Sequence, residues 1–223
     1  MSKFKRLQVL QTFVSTGIVP LFYHENIEVV KKVVQACYDG GARLFEFTNR
    51  GDYAHEVFAE VNKWAGSECP EMIMGAGSVV DVGTASLYIQ LGTNFIVSPS
   101  LNKEMAKVCN RRKIAWIPGC ATLSEIHLAE ELGCEIVKIF PGKEIGGASF
   151  VEAILAPSPW TSIMPSGGVS PNKDNLEEWF AAGVTCVGMG SKLIQKAAID
   201  NGDYASVKEN VKQAVALIKK IKN

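Results

Sequence analysis

No charge of one sign dominates this sequence. Across 223 residues, 23 Lys and Arg stand against 23 Asp and Glu, so the formal net charge is zero. A chain this balanced is a poor general binder of nucleic acid or of a membrane surface, and leaves only local basic pockets for anions. No apolar run approaches the ~18 residues a membrane-spanning helix needs. The N-terminal stretch Met1–Leu10 carries Lys3, Lys5 and Arg6, but Gln11, Thr12, Ser15 and Thr16 interrupt the apolar residues beyond it. That argues against a secretory signal. The six cysteines include no C-x-x-C pair, so reduced thiols in a cytoplasmic protein are expected in preference to disulfides or a zinc site. His24, His55 and His127 lack metal-ligand spacing. No linker, low-complexity tract or break in composition divides the chain, and one domain over residues 1–223 is expected.

What is present is apolar material: 47% of residues are hydrophobic and 21% charged, which excludes disorder for most of the chain. It is distributed as an alternation. Short runs rich in β-branched and aromatic residues occur at Ile18–Tyr23, Arg43–Thr48, Met72–Ala76, Asn94–Val97, Ala115–Pro118, Ile136–Phe140, Thr161–Pro165 and Thr185–Met189. A stretch with helical spacing comes after each. Gly40-Gly41, Gly66, Gly92, Gly133 and Gly183 stand where those helices should end. Strands joined by crossover helices pair in parallel, and near-continuous apolar runs suit strands buried on both faces. Eight units predict an α/β protein, a single (β/α)8 TIM barrel. An open dinucleotide-binding sheet would want G-x-G-x-x-G after the first strand, where this chain has Pro20-Leu21-Phe22-Tyr23-His24. The segment before Ile18 reads as an extra N-terminal helix over the barrel floor.

Chemistry in such a barrel gathers at the C-terminal ends of the strands. Lys138 stands inside Val137-Lys138-Ile139, where either orientation desolvates its ammonium. A lysine there snorkels to the mouth, pairs with a carboxylate, or works as a neutral amine that forms a Schiff base. Glu46, Thr48 and Arg50 share one face of the second strand. Glu46 is either a catalytic carboxylate or an ion-pair partner, and Arg50 suits a substrate carboxylate. Gly167-Gly168 and Gly190-Ser191 come after the seventh and eighth strands, where barrels often bind phosphate; plain tight turns are the other reading. Ser191–Ile194 is expected as a short helix behind that site.

Five ordered motifs carry a resemblance. Phe45-Glu46-Phe47-Thr48-Asn49-Arg50, Gly75-Ala76-Gly77-Ser78-Val79, Ile117-Pro118-Gly119, Val137-Lys138-Ile139-Phe140-Pro141 and Pro165-Ser166-Gly167-Gly168-Val169-Ser170 together resemble the 2-keto-3-deoxy-6-phosphogluconate (KDPG) and 4-hydroxy-2-oxoglutarate (KHG) aldolases. The resemblance implies a class I pyruvate aldolase, usually a homotrimer, acting on a small keto acid without metal or other cofactor. It implies that Lys138 is the Schiff-base lysine and Glu46 the proton shuttle. Arg50 and Ser78 would hold the pyruvate carboxylate, with Pro99 among the substrate-binding residues. Gly167, Gly168, Gly190 and Ser191 would hold phosphate. Three departures bear on the sugar acid: Ser78 where threonine is more usual, Ser100 after Pro99 where glycine is common, and Gly142-Lys143-Glu144, where a small and then an acidic residue are more usual. A related keto-deoxy sugar acid, an isomerase or synthase of phosphorylated intermediates, a metal-dependent aldolase and a non-catalytic phosphate-binding barrel are the alternatives.

Overall fold

The computed structural model describes residues 2–223, which leaves Met1 of the N-terminal stretch outside the described residues. In chain order the elements are α1 (Arg6–Thr16), β1 (Ile18–Phe22), α2 (Ile27–Asp39), β2 (Leu44–Thr48), α3 (Ala54–Glu68), β3 (Ile73–Gly77), α4 (Val82–Gln90), β4 (Phe95–Val97), α5 (Lys103–Arg112), β5 (Ala115–Ile117), β6 (Gly119–Cys120), α6 (Leu123–Glu131), β7 (Val137–Ile139), α7 (Gly147–Leu155), β8 (Ile163–Pro165), α8 (Lys173–Ala181), β9 (Val187–Met189), α9 (Lys196–Asp200) and α10 (Tyr204–Lys222). Local chemistry starts many of the helices. The side chains of Asn26, Asp81, Asn102, Thr122, Asn172 and Asp203 each accept from backbone N–H groups of the first turn, the groups a helix leaves unpaired. Gly66 does not end α3, which runs on to Glu68; with no left-handed turn there, glycine is simply tolerated in the last helical turns.

The strands form a curled parallel sheet in two hydrogen-bonded parts, ordered β5-β4-β3-β2-β1-β9 and β6-β7-β8. The expected fifth strand is split between them. Pro118, which has no N–H to donate, separates β5 from β6, so one run of chain passes from one part to the other. At this seam the Gly119 N–H donates to the Ser98 carbonyl at 2.9 Å. A Cβ on Gly119 would strike the Pro99 carbonyl, so the close approach of these strand ends requires glycine. At the other seam Ser166 and Gly188 form a parallel bridge, and the Thr185 N–H donates to the Ile163 carbonyl at 2.9 Å.

Alternation along each strand divides the apolar residues into two cores. Val19, Leu44, Ile73, Phe95, Val97, Ala115, Ile117, Ile136, Met164 and Cys186 cluster on the concave side, together with Val9, Leu10 and Phe13 of α1. The larger cluster lies between the sheet and the helices on its convex side. Phe13 meets Phe95 edge-on with ring centroids 5.0 Å apart, so α1 plugs the concave core at the N-terminal ends of the strands. All six cysteines are buried and unpaired. Among the described residues no helix is long and apolar enough to cross a membrane, and no three His, Cys, Asp or Glu side chains gather as a metal site.

This plug is testable. Phe13→Ala removes a fully buried ring and should cost about 3–5 kcal/mol, read as a lower denaturant midpoint at constant slope. A cost below about 1 kcal/mol, the scale of a surface change, would mean that α1 merely lies against the sheet.

Candidate active site

Strand parity decides which polar groups point inward. Leu44 belongs to the concave core, so Glu46 and Thr48, two and four positions on, face the same way, and Arg50 continues that face past the strand end. Ile136 also belongs to the concave core, which puts Lys138 on that side, one layer above. Met164 and Cys186 do the same for Ser166 and for Gly188 and Gly190. The strands therefore bring Lys138 and Glu46 together over an apolar floor.

Glycine makes the room. On β3 the inward positions after Ile73 are Gly75 and Gly77. A side chain on Gly75 would run into the Phe95 ring, and one on Gly77 into the Glu46 carboxylate. The Gly-Ala-Gly sequence thus lets a phenylalanine and a glutamate occupy space that side chains of β3 would otherwise fill.

Both ionisable groups are buried. Glu46 is fully buried and Lys138 is 6% exposed. Among the described residues neither Glu46 oxygen has a hydrogen-bond partner, Lys138 included. Burial pushes the Glu46 carboxyl up, against the opposing charges of Lys138 and Arg50. Burial likewise pushes the Lys138 amine down; Glu46 opposes that shift and Arg50 adds to it. Desolvation prevails at both, as expected where a charge is buried without a direct partner. The Lys138 Nζ lies 4.8 Å from the centroid of the Phe140 ring, and the strand is anchored by the Lys138 N–H to the Pro118 carbonyl at 2.8 Å. The shift favours the neutral amine, the form that attacks a carbonyl carbon, and places it near a carboxyl able to carry a proton.

A cavity of about 840 Å³ opens at the C-terminal ends of the strands. Arg50, Gly167, Gly168, Gly190 and Ser191 line it, while Lys138 and Glu46 sit a layer deeper, below lining residues Phe140 and Thr48. Ser78 and Pro99 are half-buried at the ends of β3 and β4, off this cavity wall. Ser78 holds a left-handed backbone, with φ of 56°, a conformation harder on a β-branched residue than on serine. Gly167 and Gly168 have φ of 88° and 78°. The N–H groups of Gly168, Gly190 and Ser191 donate to no other described residue, so they are available to an anion. Ser191–Ile194 is a turn instead of the expected helix. The Leu193 and Ile194 N–H groups both close back onto the Gly190 carbonyl, and the short helix α9 begins only at Lys196.

Sequence reasoning missed the near wall: Phe22, Tyr23, His24, Ser166, Lys192 and Lys196. For Ser166 the signal was there, since it shares parity with Met164. Also missed was the bracing at the end of β2. The buried Tyr88 hydroxyl donates to Asn49 Oδ1 at 2.9 Å, and the Asn49 N–H donates to the Gly77 carbonyl at 2.8 Å.

Residues 9–210 match the family model described as KDPG and KHG aldolase. The chain belongs to the KDPG and KHG aldolase family. It is 31% identical to the KHG/KDPG aldolase of Escherichia coli K12 over 207 residues, covering 92% of this chain and 94% of that one. It is 28% identical to the 2-dehydro-3-deoxy-phosphogluconate aldolase of Treponema pallidum, covering 95% and 98%. Among solved structures it resembles the KDPG aldolase of Legionella pneumophila, captured with pyruvate as a covalent carbinolamine. The TM-score there is 0.82 at 26% identity, over 90% of this chain and 95% of that one. For a KDPG and KHG aldolase family member, a buried lysine beside a buried carboxyl at the mouth of a curled parallel sheet is chemically apt.

Retaining both groups should cost stability. The double variant Lys138→Met/Glu46→Leu replaces two uncompensated ionisable groups by apolar ones and should gain about 1–4 kcal/mol at neutral pH. Glu46, raised on folding, destabilises only above the ordinary carboxylate value, so its share of the gain fades as pH falls through about 4.3. Lys138, lowered on folding, destabilises only below the ordinary lysine value, so its share fades as pH rises through about 10.4. Chemical denaturation across pH reads both limbs. A double variant no more stable than its parent at neutral pH would contradict the desolvation argument.

Proposed function

We propose that this protein is a class I aldolase, a lyase that cleaves KDPG to pyruvate and glyceraldehyde 3-phosphate, and KHG to pyruvate and glyoxylate. The observation that carries the proposal is the buried pair of Lys138 and Glu46 on one concave face, directly under the cavity.

Neutral Lys138 adds to the substrate ketone to give a carbinolamine, which loses water to an iminium. The C4 hydroxyl gives its proton, through a water, to Glu46. The C3–C4 bond breaks, its electron pair moves into the iminium as an enamine, and the aldehyde leaves. Glu46 returns the proton to C3, and water hydrolyses the resulting iminium to release pyruvate and Lys138. One carboxyl acts as base and then as acid, which calls for a pKa near working pH; the upward push on Glu46 is in that direction. Arg50 holds the pyruvate carboxylate by a forked pair of hydrogen bonds, with Ser78 and Pro99 closing that end. The backbone N–H groups around Gly167, Gly168, Gly190 and Ser191 hold the phosphate.

The scaffold we propose is a single domain, with the curled sheet closed into a (β/α)8 barrel. The Ser166–Gly188 bridge and the Gly119–Ser98 hydrogen bond support closure at the two seams. We further propose a homotrimer in the cytoplasm. Exposed Val80, Val82 and Leu87 offer apolar surface for a subunit interface, and six buried unpaired cysteines suit a reducing compartment.

The test is covalent capture. Pyruvate followed by borohydride should add one pyruvyl group irreversibly, and peptide mapping should place it on Lys138. Glu46→Gln, which cannot carry the proton, should lower kcat by about 10²–10⁴-fold. A label on another lysine, or near-native turnover in Glu46→Gln, would overturn these assignments.

A further inference from the structure

The phosphate cradle has a third wall, and it brings a full positive charge. Lys143 lines the cavity from the loop after β7. That loop is fastened to the loop after β8 by two backbone hydrogen bonds: Gly142 N–H to the Ser166 carbonyl at 2.8 Å, and Lys143 N–H to the Gly167 carbonyl at 3.2 Å. A Cβ on Gly168 would collide with the Cβ of Lys143. The stem of Lys143 therefore rests against the glycine whose N–H is free, and its backbone cannot drift from the cradle without breaking the fastening.

The other charges at this cavity are differently placed. Lys196 is paired with Asp200 at 2.7 Å. Arg50 belongs to the far rim, just past the end of β2, and Lys192 comes after Ser191 on the opposite arm of the cradle. Lys143 has no ion-pair partner among the described residues. A phosphomonoester carries close to two negative charges at neutral pH, with a second pKa of about 6. Backbone N–H groups offer only partial charges to meet them.

We infer that Lys143 is a specificity-determining residue: its ammonium group pairs with the second negative charge of a phosphomonoester seated on Gly167, Gly168, Gly190 and Ser191. This rests on the cradle assigned above. It makes the chain a selector of phosphorylated keto acids over those with an uncharged end.

Calorimetric titration with inorganic phosphate tests this without turnover. At low ionic strength, Lys143→Gln should weaken phosphate binding by about 3- to 10-fold, the scale of one charge-assisted contact at an exposed site. Lys143→Glu should weaken it further, and Lys143→Arg should restore it to within about 2-fold, because charge rather than shape is at stake. The gap between parent and Lys143→Gln should widen as pH rises through phosphate's second pKa and shrink in high salt. The ratio of kcat/KM for KDPG to that for its unphosphorylated counterpart should fall by a similar factor. Equal phosphate affinity in parent and Lys143→Gln, no phosphate binding by the parent, or Lys143→Arg as weak as Lys143→Gln would each overturn the inference. Pyruvate capture on Lys138 in the Lys143→Gln protein shows separately whether the aldolase reading stands.

Discussion

Two oppositely ionisable side chains, Lys138 and Glu46, are held away from water without touching each other. Taking a charge out of water costs several kcal/mol unless a partner compensates, and the rest of the fold can be understood as what makes that arrangement tolerable. Below the pair, the concave core and the Phe13–Phe95 contact keep solvent from entering at the floor. Above it, Thr48 and Phe140, two positions on from Glu46 and Lys138, line the open cavity. The uncompensated state is also the source of reactivity. An amine pushed down and a carboxyl pushed up are each nearer the protonation state that Schiff-base chemistry and proton return require.

Small residues set the geometry as much as large ones. Gly75 and Gly77 give their interior volume to Phe95 and Glu46, so the acid reaches into the sheet without distorting it. Gly119 allows the ends of β4 and β6 to touch, and Pro118 marks where one part of the sheet gives way to the other. The phosphate cradle obeys the same logic, with positive-φ glycines on one arm and open N–H groups on both. Stability and function diverge at these positions, as they commonly do where a site needs groups the core would reject.

Much of this was legible in the sequence, because parallel strands announce themselves by composition and position. The apolar runs correspond to the strands, and a charged residue inside such a run, as in Val137-Lys138-Ile139, stands out against its neighbours, although snorkelling or an ion pair would explain it as well as catalysis. Reading the strand ends located Glu46, Arg50, Gly167-Gly168 and Gly190-Ser191 within the same end of the sheet. What failed depended on tertiary contacts. The split of the fifth strand results from how Gly119 meets Ser98, a partner about 20 residues away in the chain. The turn at Ser191–Ile194 carries good helix formers, yet it stops after the Leu193 and Ile194 N–H groups close on the Gly190 carbonyl. Gly66 resembles a helix stop but lies within α3. Lys143 stood out only as an extra charge; its contact with Gly168 exists only once the loops after β7 and β8 are fastened together.

Desolvation governs Glu46 and Lys138 more strongly than their mutual attraction. The direct measurement is a nuclear magnetic resonance titration of the Glu46 side-chain carboxyl carbon, in the parent and in Lys138→Met. The midpoint in the parent should lie above the ordinary glutamate value of about 4.3, and higher still in Lys138→Met, where an opposing positive charge has been removed. A parent midpoint at or below the ordinary value would show an ion-paired carboxylate, with attraction to Lys138 outweighing desolvation.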